Sequence, residues 1–342
     1  MRTGRTSNSN ILIVHTGTFS PFAALDARIL GQRHHVETFG LASLGSLPFL
    51  WRKIRTADIV IFWFVGRAAI CGMIPPPRHP KVISIIGGYE AAWVQEIQYG
   101  YAGSPLRRRL IRFVLRRSDR IVAVSRFSRA EIYKNLGCVP ENVQLIHNAT
   151  DTDYYVPGPA EREESQILTV SRVSASTMLR KGLDVLYATA RQVPECRFTI
   201  VGPVHGRESD RLAEDAPPNV EFVGEQSGSA LLQYYQQASV YFQPSRYESF
   251  GVALIEAMSC GCVPVVSPHG ALPEVVGDAG YVLERLDPEH AAAVLRQALN
   301  APPAAREQAR ARVVQNFDMR QRAEKLHKLI DELLAEKNAT AS

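Results

Sequence analysis

No stretch of this sequence is apolar for long enough to span a bilayer. The longest apolar run, Ile59 to Ile74, is broken by Arg67 and falls short of the roughly 20 residues a membrane-crossing helix needs. Cysteine offers no framework either. The five residues Cys71, Cys138, Cys196, Cys260 and Cys262 are odd in number, scattered and free of CxxC pairs, which argues against a disulfide scaffold or a zinc site. Cys260 and Cys262 flank Gly261 and read as small residues packed at a helix-to-strand turn. The amino-terminal MRTGRTSNSN carries two arginines but leads into only ILIV before the polar HTGT, so it lacks the apolar core of a signal peptide. A cytoplasmic location is expected. The GxxxxGK[ST], HExxH and GxSxG patterns are missing as well, leaving phosphate-loop hydrolysis, zinc proteolysis and esterase chemistry without support.

What is present is a globular composition. With 342 residues and 46% hydrophobic content the chain can bury two cores more readily than one. Its net charge of +5 hides a division. Residues 1 to 150 hold 20 Lys and Arg against 8 Asp and Glu, a balance of +12, whereas residues 151 to 342 hold 19 against 26, a balance of −7. An anionic partner is therefore expected to meet the amino-terminal part.

Strand-length apolar runs alternate with helix-length amphipathic patterns, the mark of βαβ units and parallel sheets. The series occurs twice. Strands are expected at 11–14, 35–41, 58–64, 81–86, 120–125 and 143–147, and again at 167–172, 197–202, 220–224, 240–245, 263–267 and 280–284. Between the two series lies NATDTDYYVPGPAEREES, polar and rich in Pro and Gly, a natural hinge. Helical patterns follow at 288–299, 303–316 and 320–336. The expected fold class is α/β, two doubly wound domains at 1–155 and 156–342 facing each other across a cleft, with the last helix packing back on the first domain. Ligands of such sheets bind beyond the carboxyl ends of the strands.

The segment YESFGVALIEAMSCG, Tyr247 to Gly261, places Glu248 before a short helix and Glu256 within it. Carboxylates accept hydrogen bonds from hydroxyl pairs, so the two can hold separate sets of hydroxyls. Ser249, Phe250 and Gly251 open the helix, where free N–H groups suit a polar or anionic ligand and Gly251 allows close approach. Taken alone, Glu248 could cap a helix and Glu256 could be a solvated face residue.

The block YESFGVALIEAMSCGCVPVVS with GALPEVVGDAGYVL, together with SRVSASTMLRKGLDVL, RFTIVG and the hinge HNATDTDYY, resembles retaining glycosyltransferases of family 4, which have the GT-B architecture of two Rossmann-like domains. The resemblance spans most of the chain and is more specific in its second half. It implies a nucleotide diphosphate sugar as donor, with Glu248 on the transferred sugar and Glu256 on the ribose. Gly17, Gly202, Val223, Ser249, Phe250, Gly251 and Val252 are the further donor-binding residues it implies. Arg172 and Lys181 would stabilise the charge that develops on the departing diphosphate, a task for fixed cations that calls for no metal. SASTM makes the spacing between them longer than the family's, and Arg180 is the alternative to Lys181.

Other features give competing readings. DTD at Asp151 to Asp153 looks like a metal-binding acidic pair but lies in the hinge, where turn-forming Asp is expected. His269 reads as a turn residue. In IIGGYEAAW (85–93) Gly87 falls where many family members carry a histidine, so Tyr89 and Glu90 become the acceptor-side candidates, against the plain reading of a tight glycine turn. LRRRLIRFVLRRSDR (106–120) carries seven arginines, with Leu106, Leu110, Phe113 and Val114 expected to face the core. Its basic face suits an anionic, lipid-linked acceptor and peripheral contact with an anionic membrane through Arg107 to Arg117, or is a solvated charged face. Nucleic acid is not expected, because aromatics are not interleaved with the arginines. The expected activity is transfer of a hexose-like sugar to such an acceptor or to a surface polysaccharide precursor. The alternatives are a catalytically silent nucleotide-sugar-binding protein and, with less support, a sugar-nucleotide epimerase.

Overall fold

The computed structural model describes residues 9–17, 19–74, 80–137, 142–158, 163–204 and 214–341. The chain divides into two compact units, residues 1–148 with 320–342, and residues 149–319. The second unit thus starts at Ala149, ahead of the expected boundary, and the last helix belongs with the first unit. Charge follows this division. Unit 1 holds 25 Lys and Arg against 12 Asp and Glu, and unit 2 holds 14 against 22.

Unit 1 is built on one parallel sheet of β1 (Asn10–Thr16), β2 (His35–Leu41), β3 (Ile59–Trp63), β4 (Lys81–Ile86), β5 (Arg120–Ala123) and β6 (Val143–Leu145), in the order β2-β1-β3-β4-β5-β6. Every residue of β3 is buried, as expected of a strand covered on both faces by crossover helices. Leu12, Val14, Val60, Phe62, Ile86 and Ile121 meet Leu50, Ile54 and Val114 from the helices in one core. Fully burying each such side chain contributes about 1.5–3 kcal/mol. Local chemistry starts the helices. Ser104 Oγ accepts from the Arg107 N–H ahead of Pro105, and Ser125 and Ser128 form a reciprocal capping box.

The arginine-rich helix runs over Pro105–Leu115; Val114 and Phe113 meet the core as expected, and the correction falls on Leu106. Ile111, Val114 and Leu115 form the buried stripe, whereas Leu106 is 68% exposed. Leu106, Leu110 and Phe113 recur at i, i+4 and i+7 along the flank of that stripe, with Phe113 against the core and Leu106 turned out of it. Leu110 and Phe113 are half-buried there, and the Arg117 guanidinium lies 4.0 Å over the Phe113 ring.

The C-terminal helix, Met319–Ala341, is fixed to unit 1 by a buried ion pair. Arg322 donates to Asp26 through Nε at 2.6 Å and Nη2 at 2.8 Å, with exposures of 2% and 1% for the two side chains. Trp63 Nε1 completes the Asp26 carboxylate at 2.8 Å, and Arg322 Nη1 reaches the His147 carbonyl at 2.7 Å. Lys337 pairs with Asp58 at 2.6 Å further along the helix.

Unit 2 repeats the plan with β7 (Glu163–Val170), β8 (Arg197–Val201), β9 (Val220–Phe222), β10 (Ala238–Gln243), β11 (Val263–Val266) and β12 (Tyr281–Val282), all parallel in the order β12-β11-β10-β7-β8-β9. Its strand order reverses between β7 and β10, which are paired. Beyond the carboxyl ends of two such strands the following loops diverge and leave a crevice. Among the described residues Cys71, Cys196, Cys260 and Cys262 form no disulfide, the last three being buried; Cys138 lies outside the described residues.

Candidate functional site

The loops after β7 and β10 carry the second-half candidates. Past β7 the chain turns through Arg172, and a short helix, Ala175–Met178, leads to Lys181 and Gly182. Gly202 lies underneath with φ +150°; a β-carbon there would stand 2.2 Å from the Ser171 carbonyl oxygen, so only glycine lets the end of β8 nest against Ser171 and Arg172. Gly182 serves the same purpose beside β10. It caps the helix Leu183–Gln192 with φ +68° and rests on Pro244.

This approach delivers Lys181 to Glu248. Lys181 Nζ donates to Glu248 Oε2 at 2.6 Å, with side-chain exposures of 20% and 14%, and Gln243 Nε2 donates to the same oxygen at 2.9 Å. Burial works to raise the Glu248 carboxyl, but Lys181 first, then Arg180 and the Phe250 N–H, outweigh it and hold the group below the usual carboxylate range. Between the two candidate cations it is Lys181 that pairs with Glu248, while Arg180 adds charge from nearby. A bidentate Arg246–Asp184 pair, both contacts at 2.7 Å, ties the β10 loop to the helix behind Lys181. Gly270, φ +70°, closes on the Glu248 backbone, where a β-carbon would lie 2.3 Å from its carbonyl oxygen. The neighbouring His269 is accordingly part of a turn.

Glu256 sits differently. It lies within the helix Val252–Ser259, opened by Gly251 at φ +98°. Its Oε2 accepts from Tyr235 Oη at 2.8 Å, and Tyr155 supplies a second phenolic hydrogen bond. Burial pushes the carboxyl up to about 7, and the two tyrosine hydroxyls oppose that rise. The site therefore holds two carboxylates in contrasting states: Glu248 ionised beside an ammonium, Glu256 poised near neutrality.

The other unit 2 candidates divide. Arg172 is exposed, and among the described residues its guanidinium makes no hydrogen bond; only its backbone carbonyl is engaged, by Ser171 Oγ and Thr177 Oγ1. Phe250 is buried edge-on against Phe317 at 5.4 Å, which leaves its N–H rather than its ring facing Glu248. Ser249, Val252 and Val223 are half-buried. Asp151 Oδ1 accepts the N–H groups of Asp153 and Tyr154, both at 3.2 Å, so the DTD segment is an Asx-type turn. Gln243, Tyr155, Tyr235 and Gly270 escaped the sequence reading.

In unit 1, Gly17 ends β1 with φ +73°, exposed. Glu90 is only 2% exposed and turned inward, accepting the N–H groups of Val65 at 2.9 Å, Gly88 at 3.0 Å and Gly87 at 3.3 Å. Burial raises its carboxyl despite these bonds, and its place is that of a clamp joining the loops after β3 and β4. Gly87 packs under Phe64, so that a β-carbon there would be 2.0 Å from the ring. Phe64 itself holds φ +62°, a strained conformation for an aromatic residue. Tyr89 is 39% exposed and stands between Tyr99 at 4.9 Å and Tyr101 at 4.6 Å, with the Arg107 guanidinium 4.8 Å over Tyr101. Among the described residues no group of three or more His, Cys, Asp or Glu is placed to hold a metal ion, and no helix is long and apolar enough to cross a membrane.

Comparison with known proteins bears on both units. Residues 157–316 match the family Glycosyl transferases group 1, and residues 13–154 match Glycosyltransferase Family 4. A phosphatidylinositol N-acetylglucosaminyltransferase polypeptide of Arabidopsis thaliana is 29% identical over 225 residues, 63% of this chain and 50% of the relative. The chain spans about half the length, or somewhat less, of such relatives. In structure, sucrose-phosphate synthase of Thermosynechococcus elongatus superposes with a TM-score of 0.80 at 18% identity, over 96% of this chain and 100% of that one. Anabaena HepE in complex with UDP-glucose gives 0.77 at 18% identity, over 95% and 100%. The fold is thus the GT-B fold that the sequence suggested.

Proposed function

The chain belongs to the group 1 glycosyltransferases, and from that membership we propose that it moves a sugar from a nucleotide diphosphate sugar to an acceptor, with retention and without a metal ion. The observation that supports this best is the contrast between the two carboxylates beside the β7–β10 switch. Lys181, held by Glu248, supplies a positive charge for the departing diphosphate. Arg172, exposed beyond β7, supplies a second. Glu256 has acceptor positions left over for a ribose diol. The N–H groups at Gly251 and Val252 open the helix towards the phosphates.

The acceptor falls to unit 1, whose basic balance suits an anionic or lipid-linked molecule. Leu106 and the arginines of Pro105–Leu115 offer a peripheral contact with an anionic membrane. The Arabidopsis relative is named for phosphatidylinositol, in keeping with such an acceptor. A second reading, a nucleotide-sugar-binding protein without transfer, draws on the Gly87–Phe64 packing, which leaves no room for a side chain where the family carries a histidine.

The deciding experiment is a melting-temperature screen against nucleotide sugars, followed by turnover of whichever binds; a ligand at 100 times its Kd adds about 2.7 kcal/mol of stability. Lys181→Ala and Glu256→Ala should each cut turnover by roughly two orders of magnitude or more with the fold intact. Near-normal rates in either would reject the assigned roles. Binding without transfer or slow hydrolysis would favour the silent reading.

A further inference from the structure

The segment that opens unit 2 is fastened to the helix that carries Glu256. Ser259 Oγ, at the end of that helix, donates to the Tyr155 carbonyl at 2.6 Å. Arg310 Nη1 donates to the same carbonyl at 2.9 Å and to the Ser259 carbonyl at 2.7 Å, while Nη2 reaches the Thr152 carbonyl at 3.1 Å. The Tyr155 N–H is taken by the Asp151 carbonyl at 2.9 Å. With its backbone held from both sides, Tyr155 turns its phenol to Glu256 and sets its ring edge-on to Tyr235 at 5.8 Å.

The chemistry of this arrangement is one-directional. Burial first, and then the charge of Glu256, raise both phenols above their usual range, so each stays protonated and donates. An ionised carboxylate has about four acceptor positions. Two phenols fill two of them, which leaves two on a half-buried group, the number a vicinal diol requires. The other titratable groups facing this cluster are Tyr241 of β10 and, beside Tyr155, Tyr154 and Cys260.

We propose that Tyr155 is a positioning residue for donor recognition: anchored by Arg310 and Ser259, its phenol aims the Glu256 carboxylate and joins the 149–158 segment to the diol-binding helix as one body. The proposal rests on Glu256 being the diol carboxylate of the function proposed above. Without this phenol Glu256 loses one of the hydrogen bonds that oppose its protonation. A protonated carboxyl then accepts fewer bonds from a diol, and donor affinity falls most on the acid side.

The test is calorimetry with UDP, GDP and ADP on the full chain from about pH 6 to about pH 9, a window that takes in the wild-type carboxyl's titration. The tightest binder is then used with Tyr155→Phe, Arg310→Met and Glu256→Gln, each checked by thermal melting. Tyr155→Phe should weaken binding roughly tenfold near pH 6, shift the acid limb upward, and return to within about twofold of wild type near pH 9. Arg310→Met should reproduce that profile. A loss of the same size at both ends of the range, or an unmoved acid limb, overturns the proposal. Wild-type binding by Glu256→Gln, or no binding of any of the three nucleotides, overturns the reading of Glu256 itself.

Discussion

Gly182 presses against the carbonyl of Pro244 so closely that a β-carbon at residue 182 would stand 1.9 Å from the oxygen, and its φ of +68° is one that only glycine adopts freely. The residue before it is Lys181, so this contact decides whether the ammonium reaches Glu248. Gly182→Ala is therefore expected to separate the pair as well as strain the loop. It should cost about 1–3 kcal/mol of stability in denaturant melts and lower turnover at least tenfold. Wild-type turnover in a folded Gly182→Ala variant would dissociate the glycine from the site.

Glu256 gives a pH-dependent stability of defined sign. Its folded carboxyl is pushed up to about 7 from a usual 4.5, so below the unfolded value both states hold the proton and nothing is lost. As pH rises from about 4.5 to about 7, the unfolded chain releases that proton first and the fold is disfavoured, by about 3 kcal/mol at the upper end. Glu256→Gln has no proton to lose. It should melt higher than wild type above pH 7 and show no such gain near pH 4.5, while donor binding weakens.

Gly87 and Phe64 compete for one volume. Gly87→His alone would drive a side chain into the Phe64 ring and should destabilise unit 1 by about 1–3 kcal/mol, the range for overpacking. Adding Phe64→Ala removes both the obstruction and a bulky aromatic at φ +62°, so the double variant should recover most of that loss. Strictly additive melts would show that the two residues are independent.

The outward flank of the arginine helix can be tested on vesicles. Binding to liposomes with phosphatidylglycerol should exceed binding to neutral phosphatidylcholine and weaken as salt is raised. Leu106→Glu and Arg109→Glu should each reduce sedimentation with the anionic vesicles without changing the melting temperature, since both residues are exposed. Equal partitioning to neutral and anionic vesicles would mark the face as merely solvated.

The Arg322–Asp26 pair is buried to within 2% on both sides. Arg322→Met leaves the Asp26 carboxylate with Trp63 as its remaining donor among these contacts, and breaking a buried pair by removing one partner costs about 3–5 kcal/mol. The double variant Arg322→Met with Asp26→Leu should restore much of the loss. A single variant as stable as wild type in urea would show that the ion pair holds nothing together.

The sheets were legible in the sequence because parallel strands covered on both faces appear as continuous apolar runs, and all twelve stand within a few residues of the expected positions. The phase of a helix is harder to read. Of Leu106, Leu110, Phe113 and Val114, Val114 is buried and Phe113 packs against the core, yet the buried stripe is completed by Ile111 and Leu115 and Leu106 stays outside. Glu90 was visible as an acid, but its inward turn depends on N–H groups in two separate loops. The partners of Glu256 were hidden for a similar reason, since Tyr155 and Tyr235 are distant in sequence and meet it only after the sheet has formed. Phe64 could not be found at all, because an aromatic residue gives no hint of a left-handed backbone.

A unit assembled from residues 1–148 and 320–342 has a timetable during synthesis. As the chain leaves the ribosome, β1 to β6 emerge first but must wait for Arg322 and Lys337, while every residue of the intervening unit is already out. Residues 149–319 can therefore mature ahead of the half that precedes them, and the newborn first sheet is left with an uncovered flank and an unmatched Asp26 until Arg322 has followed.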